Sequence, residues 1–156
     1  MGNLLGTAGS VIVTLVILGV VAAGLYAAFS KINIANTQQN LVLLRMNVQQ
    51  FFNGTNYEGL TNEIAIKAGI MPVGFLRGTV TRNVWGGDVT LSPDSSTGQF
   101  SIELTKIPQS ACTQLARFQT DSWDSIAING AEIDPSDVEA VSESCAKTNS
   151  IKYTAR

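Results

Sequence analysis

Residues Ser10–Lys31 read "SVIVTLVILGVVAAGLYAAFSK". No side chain from Val11 to Phe29 is charged. As a helix rising 1.5 Å per residue, that run spans roughly 28 Å, close to the ~30 Å hydrocarbon thickness of a bilayer. A secretory signal has a basic leader, a shorter apolar core and a small-residue cleavage site. The preceding "MGNLLGTAGS" carries no basic residue, so the run reads as a membrane-length helix in a chain whose leader has been removed. Its composition is not that of a plain anchor. Gly6, Ser10, Thr14, Gly19, Ala23 and Ala27 recur about one helical turn apart, and Gly24 and Ala28 repeat the spacing. Small residues at that interval let helix backbones approach closely, which drives association where no hydrophobic effect acts between helices. Gly19 and Gly24 are the points where such a helix loosens most readily, since glycine costs about 1 kcal/mol in a helix.

The helical pattern does not stop at Lys31. In "INIANTQQNLVLLRMNVQQFFNG", Ile34, Leu41, Leu44, Val48 and Phe51 or Phe52 return at three, four or seven residues, an amphipathic stripe ended by Asn53-Gly54. A second set, Val42, Leu43 and Met46, points elsewhere, so the stripe is too wide for a helix covered on one side. No proline interrupts these residues. One continuous helix of about 75 Å is predicted. A lone anchor has no use for that length; a helix that packs against copies of itself in a filament does.

Charge divides the chain in the same place. No charged side chain precedes Lys31, and all twelve acids lie at Glu58 or later. This is the layout of a lipid-facing element followed by a water-soluble head. The net charge is −2 and the ten basic residues are scattered singly, which argues against nucleic acid as a stable ligand. Histidine is absent, removing the commonest general base and metal ligand. No nucleophile–base pair, metal cluster or GxGxxG loop is present, so neither an enzyme nor a cofactor is predicted. Asp134, Asp137 and Glu139 read as a helix cap with first-turn acids rather than a calcium site, and Asp121 and Asp124 beside Trp123 as solvated charges rather than a sugar-binding edge. Asn53-Gly54-Thr55 matches a glycosylation sequon, but a helix stop accounts for it.

The two cysteines, Cys112 and Cys145, are either one disulfide or two separate buried thiols. Their place in a small head beyond an apolar segment favours a bridge in an oxidising compartment. The positive-inside rule would put Lys31 in the cytoplasm. A single lysine is the weaker signal, and the disulfide puts that side outside. The head reads as α+β: a short helix over Leu60–Gly69 capped by Thr61, then a hairpin of "VTLSP" and "QFSIELTK" around "DSSTG". A helix at "QSACTQLARFQTD" buries Ala111, Leu115 and Phe118. "SIAING" is a short strand ending at the Asn129-Gly130 turn, a helix follows with Asp134 at its cap and Pro135 at its first position, and "SIKYTA" is the last strand. An antiparallel sheet of three to five strands results. Residues 1–30 are thus the membrane or filament-core half of the helix, 31–53 its amphipathic half and 54–156 the head.

These features together resemble the type IV pilins, and more closely the type IVb branch with its PilS-like and bundle-forming major pilins. "GVVAAG" (Gly19 to Gly24), "NVWGG" (Asn83 to Gly87) and "SACTQLA" (Ser110 to Ala116) are similar to stretches of that branch, and Cys145 falls where the second disulfide cysteine is expected. The resemblance covers nearly the whole chain. It implies a long N-terminal helix packed on an antiparallel sheet with short helices and one disulfide. It implies a homo-oligomeric helical filament, held in the bacterial inner membrane before assembly and extracellular as a pilus afterwards. Prepilin peptidase, assembly ATPase, platform protein and secretin are the implied partners; adhesion, aggregation or conjugative mating are the implied roles. The family's methylated terminus would fall on Met1. One departure stands out. The usual carboxylate at the fifth mature position is replaced by Leu5, or by Ser10 when "GVVAAG" is aligned. Backbone carbonyls, or hydroxyls such as Thr7 and Ser10, are then left to receive the terminal amine. A minor pilin or pseudopilin of a secretion system, and a single-pass envelope protein with a periplasmic binding head, are the alternatives.

Overall fold

The computed structural model describes residues 2–54 and 56–156, with side chains from residue 24 onward. Helix α1 runs Gly2–Phe51. The chain divides into two compact units, Met1–Asn33 and Ile34–Arg156. Of the small-residue positions, Gly6, Ser10, Thr14, Gly19 and Ala23, with Met1, lie outside the residues whose side chains are described. Among the described residues no helix is long and apolar enough to cross a membrane.

In the second unit, α1 ends where its side chains run out of core. Asn53 and Gly54 both take positive φ, 53° and 64°, and the Gly54 amide donates back to the Gln49 carbonyl at 2.9 Å. Helix α2, Asn62–Lys67, begins at Thr61, whose hydroxyl accepts from the Ile64 amide. A 3₁₀ turn at Val73–Phe75 leads into a two-stranded ribbon, β1 (Leu76–Arg77) with β2 (Val80–Thr81). The main sheet holds β3 (Val89–Asp94), β4 (Gln99–Pro108), β5 (Ser125–Ile128), β6 (Ala131–Ile133) and β7 (Thr148–Ala155). It is antiparallel with order β3-β4-β7-β5-β6. The C-terminal strand is therefore central, which ties the end of the chain into the middle of the head. Helices α3 (Gln109–Ala116) and α4 (Val138–Ser144) complete the unit.

Alternation makes this sheet a lid for one core. Along β4 and β7, Phe100, Ile102, Leu104, Ile107, Ile151, Tyr153 and Ala155 are buried while Lys152 is exposed. The inward set meets Leu41, Leu44 and Val48 of α1, each wholly buried. Each such side chain removed from water contributes roughly 1.5–3 kcal/mol.

Two expectations need correction. The helix expected to start at Asp134 starts at Asp137, whose carboxylate accepts from the Ala140 amide at 3.0 Å. Asp134 is already engaged with the Ser136 amide and hydroxyl, at 2.9 and 2.6 Å, so it closes a turn and Pro135 sits within that turn. "SIAING" is the expected short strand ending in a turn: Asn129 and Gly130 both have positive φ, 52° and 85°, and β6 returns beside β5 to complete a hairpin. The helix at "QSACTQLA" stops at Ala116, leaving Phe118 half-buried.

Candidate assembly surface

Two faces of α1 have opposite fates. Within Ile34–Phe51, Ile34, Thr37, Leu41, Leu44 and Val48 point into the core. Leu43, Met46 and Phe51 lie on another face and are 44%, 47% and 50% exposed. The terminal pair separates between these faces: Phe52 packs against the core, 5.8 Å from the buried Tyr57 ring, whereas Phe51 faces outward. Four residues past Val48 is nearer a full turn than three, so the second phenylalanine falls on the buried side, correcting the grouping of Phe51 with the packing face. Val42 is half-buried at the border.

In the first unit, the described residues Gly24, Leu25, Tyr26, Ala27, Ala28, Phe29 and Ile32 are all exposed, Tyr26 at 78%. A methyl group added at Gly24 would meet nothing within 4 Å. A monomer rarely leaves so many large apolar groups together in water.

The head is braced by polar side chains that pattern reading did not single out. Arg45, in the middle of the apolar stripe, lays its guanidinium over the Trp123 ring at 5.2 Å. Gln49 donates to the carbonyl of Arg156, whose own side chain reaches Asp124 at 3.5 Å, and Gln99 donates to the same carboxylate at 2.7 Å. Tyr57 lies 4.6 Å from the Phe100 ring. Burial raises its phenol pKa; the positive Arg45 opposes that and Asp124 adds to it. Tyr153 donates to the Leu115 carbonyl at 2.8 Å, and burial pushes its phenol well above the usual value.

The "NVWGG" stretch is a turn organised by one amide. Buried Asn83 accepts from the Trp85 and Gly87 amides at 3.0 and 3.1 Å and donates to the Thr105 carbonyl at 2.7 Å. Thr105 is available because β4 shifts register between Leu104 and Ile107, where Lys106 has φ 55°. Gly87 passes so close that an added Cβ would fall 1.9 Å from the Thr105 oxygen.

Cys112 and Cys145 form a disulfide with Cα atoms 5.9 Å apart, joining α3 to the end of α4. Buried Asn149 braces the same region, donating to the Ile107 and Ala146 carbonyls at 3.2 and 2.8 Å and accepting from Asn129 at 2.9 Å. No signal in one sequence marks such an asparagine, because Ile107 and Asn129 are distant in the chain. Asp134, Asp137 and Glu139 are accounted for by a turn and a helix start, and no carboxylate cluster able to hold a metal ion occurs among the described residues.

The family described as PilS N terminal matches residues 31–156. A type IV b pilin from Salmonella typhi superposes with a TM-score of 0.63, is 23% identical, and the match covers 76% of this chain and 97% of that one. TcpA, a type IV pilin from Vibrio cholerae El Tor biotype, superposes with a TM-score of 0.56 at 12% identity, over 80% of this chain and 99% of that one. No curated protein matches the chain. A long helix packed by one face on an antiparallel sheet, a disulfide joining the last two helices and the family match over most of the chain lead to one assignment: the chain belongs to the PilS family and has the type IV pilin fold, that of a pilus subunit rather than an enzyme.

Proposed function

We propose that this chain is the major structural subunit of a type IVb-like pilus and polymerises through α1. The observation that carries the reading is the apolar surface left uncovered on α1: Leu25, Tyr26, Phe29 and Ile32 in the first unit, Leu43, Met46 and Phe51 in the second. Residues 1–30 form the filament-core half, 31–53 the amphipathic half and 54–156 the outer shell. Before assembly the first half resides in the inner membrane. Lipid contacts are then exchanged for contacts with neighbouring helices. Gly6, Ser10, Thr14, Gly19, Ala23, Gly24, Ala27 and Ala28 let those helices approach closely enough for dispersion to replace the lost lipid. Adhesion, aggregation and conjugative mating are the roles such a filament serves, and the assembly machinery of such pili supplies the partners.

Electron microscopy of the fraction sheared from the cell surface, with the chain identified by mass spectrometry, tests this. Thin filaments composed chiefly of this chain are expected, with an intact mass that also reports the processed terminus. Retention of the chain in membranes, with no filament carrying it, overturns the reading.

A further inference from the structure

The chain carries two Asn-Gly pairs, Asn53-Gly54 and Asn129-Gly130, and the fold treats them differently. Such a pair can react with itself. The glycine amide nitrogen, once it has lost its proton, attacks the asparagine Cγ, and glycine brings no side chain to stand in the way. Both asparagines have a left-handed backbone, φ 53° and 52°, and both glycines have nothing within 4 Å of the place a Cβ would take. Backbone shape and crowding therefore do not distinguish the two pairs. The hydrogen bonds of the asparagine side chains do.

Asn129 is held at both ends of its amide. The nitrogen donates to the Ser144 carbonyl and to the Asn149 side chain, at 3.2 and 2.9 Å, and the oxygen accepts from the Ser150 amide at 2.9 Å. Its Cγ cannot turn toward Gly130 until these bonds open. The turn is also clamped between β5 and β6. Asn53 is exposed, and its side chain makes no hydrogen bond among the described residues. What opposes the reaction there is the bond from the Gly54 amide to the Gln49 carbonyl, 2.9 Å. That bond closes the exposed end of α1, and helix ends fray.

We propose that Asn53 is a site of spontaneous deamidation, from which Asn129 is protected by the fold. The Gly54 nitrogen bonds to Asn53 Cγ, the Cγ–Nδ2 bond breaks, and Nδ2 leaves as ammonia. Water then opens the cyclic imide. Opening at Cγ yields an aspartate; opening at the main-chain carbon yields an isoaspartate, whose backbone runs through the former side chain. Nothing is oxidised or reduced. Either product places a carboxylate at the C-terminal end of α1, where the helix dipole is negative and the last turn holds no basic residue. The new charge lies two residues from the exposed Phe51. Conversion thus marks aged subunits at the end of α1. The inference stands independently of the filament reading.

The full chain in detergent, incubated at mildly alkaline pH in heavy-oxygen water and then digested with pepsin in acid, tests it. The peptide holding Asn53 should take up heavy oxygen, gain the mass of a hydrolysed amide and divide into aspartate and isoaspartate forms. It should do so at least about tenfold faster than the peptide holding Asn129, whose three side-chain bonds must open first. In denaturant the two pairs should convert at similar rates. No conversion at Asn53, or conversion at Asn129 as fast in the folded chain, overturns the proposal. So does a ratio of rates that denaturant leaves unchanged, because the fold would then not set it. As a second measurement, Asn53→Gln lengthens the reacting ring and should abolish the mass gain of that peptide. A gain in intact mass undiminished by this substitution places the reaction elsewhere and overturns the assignment.

Discussion

Gly86 and Gly87 are neighbours in one turn, yet they are glycine for different reasons, and substituting each by alanine separates the two. Gly86 has φ +79° with nothing within 4 Å of the position a Cβ would take. Its alanine variant carries only the penalty of a left-handed backbone, about 1 kcal/mol. At Gly87 the added Cβ would lie 1.9 Å from the Thr105 carbonyl oxygen, 2.5 Å from its carbon and 2.9 Å from the Asn83 amide nitrogen. Two of those atoms are backbone of the long strand β4, which pairs with β3 and β7 and cannot swing aside as a side chain would. Overpacking of this kind costs about 1–3 kcal/mol. Pushing Thr105 away also breaks the part-buried Asn83–Thr105 bond of 2.7 Å, worth about 1–3 kcal/mol more when the donor of the buried Asn83 is left unpaired. Gly87→Ala is therefore expected to destabilise by about 2–6 kcal/mol and to lower the melting temperature of the detergent-solubilised chain by roughly 10 °C. Gly86→Ala should lower it by about 2–4 °C. Thermal unfolding followed by circular dichroism reads both. Should Gly87→Ala melt no lower than Gly86→Ala, the strand yields to the turn, and close approach is not what selects the second glycine.

Three further outcomes follow from the same structure. Replacing Cys112 and Cys145 by alanine opens a loop of 33 residues, and chain entropy sets the loss at about 4 kcal/mol; denaturant titration with and without reductant measures it, and a loss below 1 kcal/mol would contradict it. Leu44→Ala should cost about 2–5 kcal/mol because the side chain is wholly buried, whereas Met46→Ala should change monomer stability by less than ~0.5 kcal/mol and instead lower the yield of sheared filament. Equal effects of the two on both readouts would mean that α1 does not divide its faces as described. Burial raises the folded-state pKa of Tyr57 and Tyr153, so their contribution is complete below the unfolded value of about 10 and is lost as pH rises through the folded values. Phenolate absorbance from these two should appear together with loss of circular dichroism; phenolate formed reversibly before unfolding would be inconsistent with their burial.

Local pattern alone determined much of this protein. The period of Leu41, Leu44 and Val48 specifies which side of α1 is buried, because helical geometry depends only on neighbours in the chain. The same holds for the alternation in "QFSIELTK" and for the Thr61 cap, whose partner is three residues away. Tertiary structure decided what depends on distant atoms. Asp134 and Asp137 are equivalent as candidate caps until the turn at Ser136 engages the first. Asn83, Asn62 and Asn149 look like ordinary loop residues, yet each satisfies backbone groups tens of positions away. The placement of β5 and β6 across the sheet from β3 is likewise invisible in the linear order. It arises only because the last strand inserts in the middle of the sheet and carries β5 and β6 to the side away from β3.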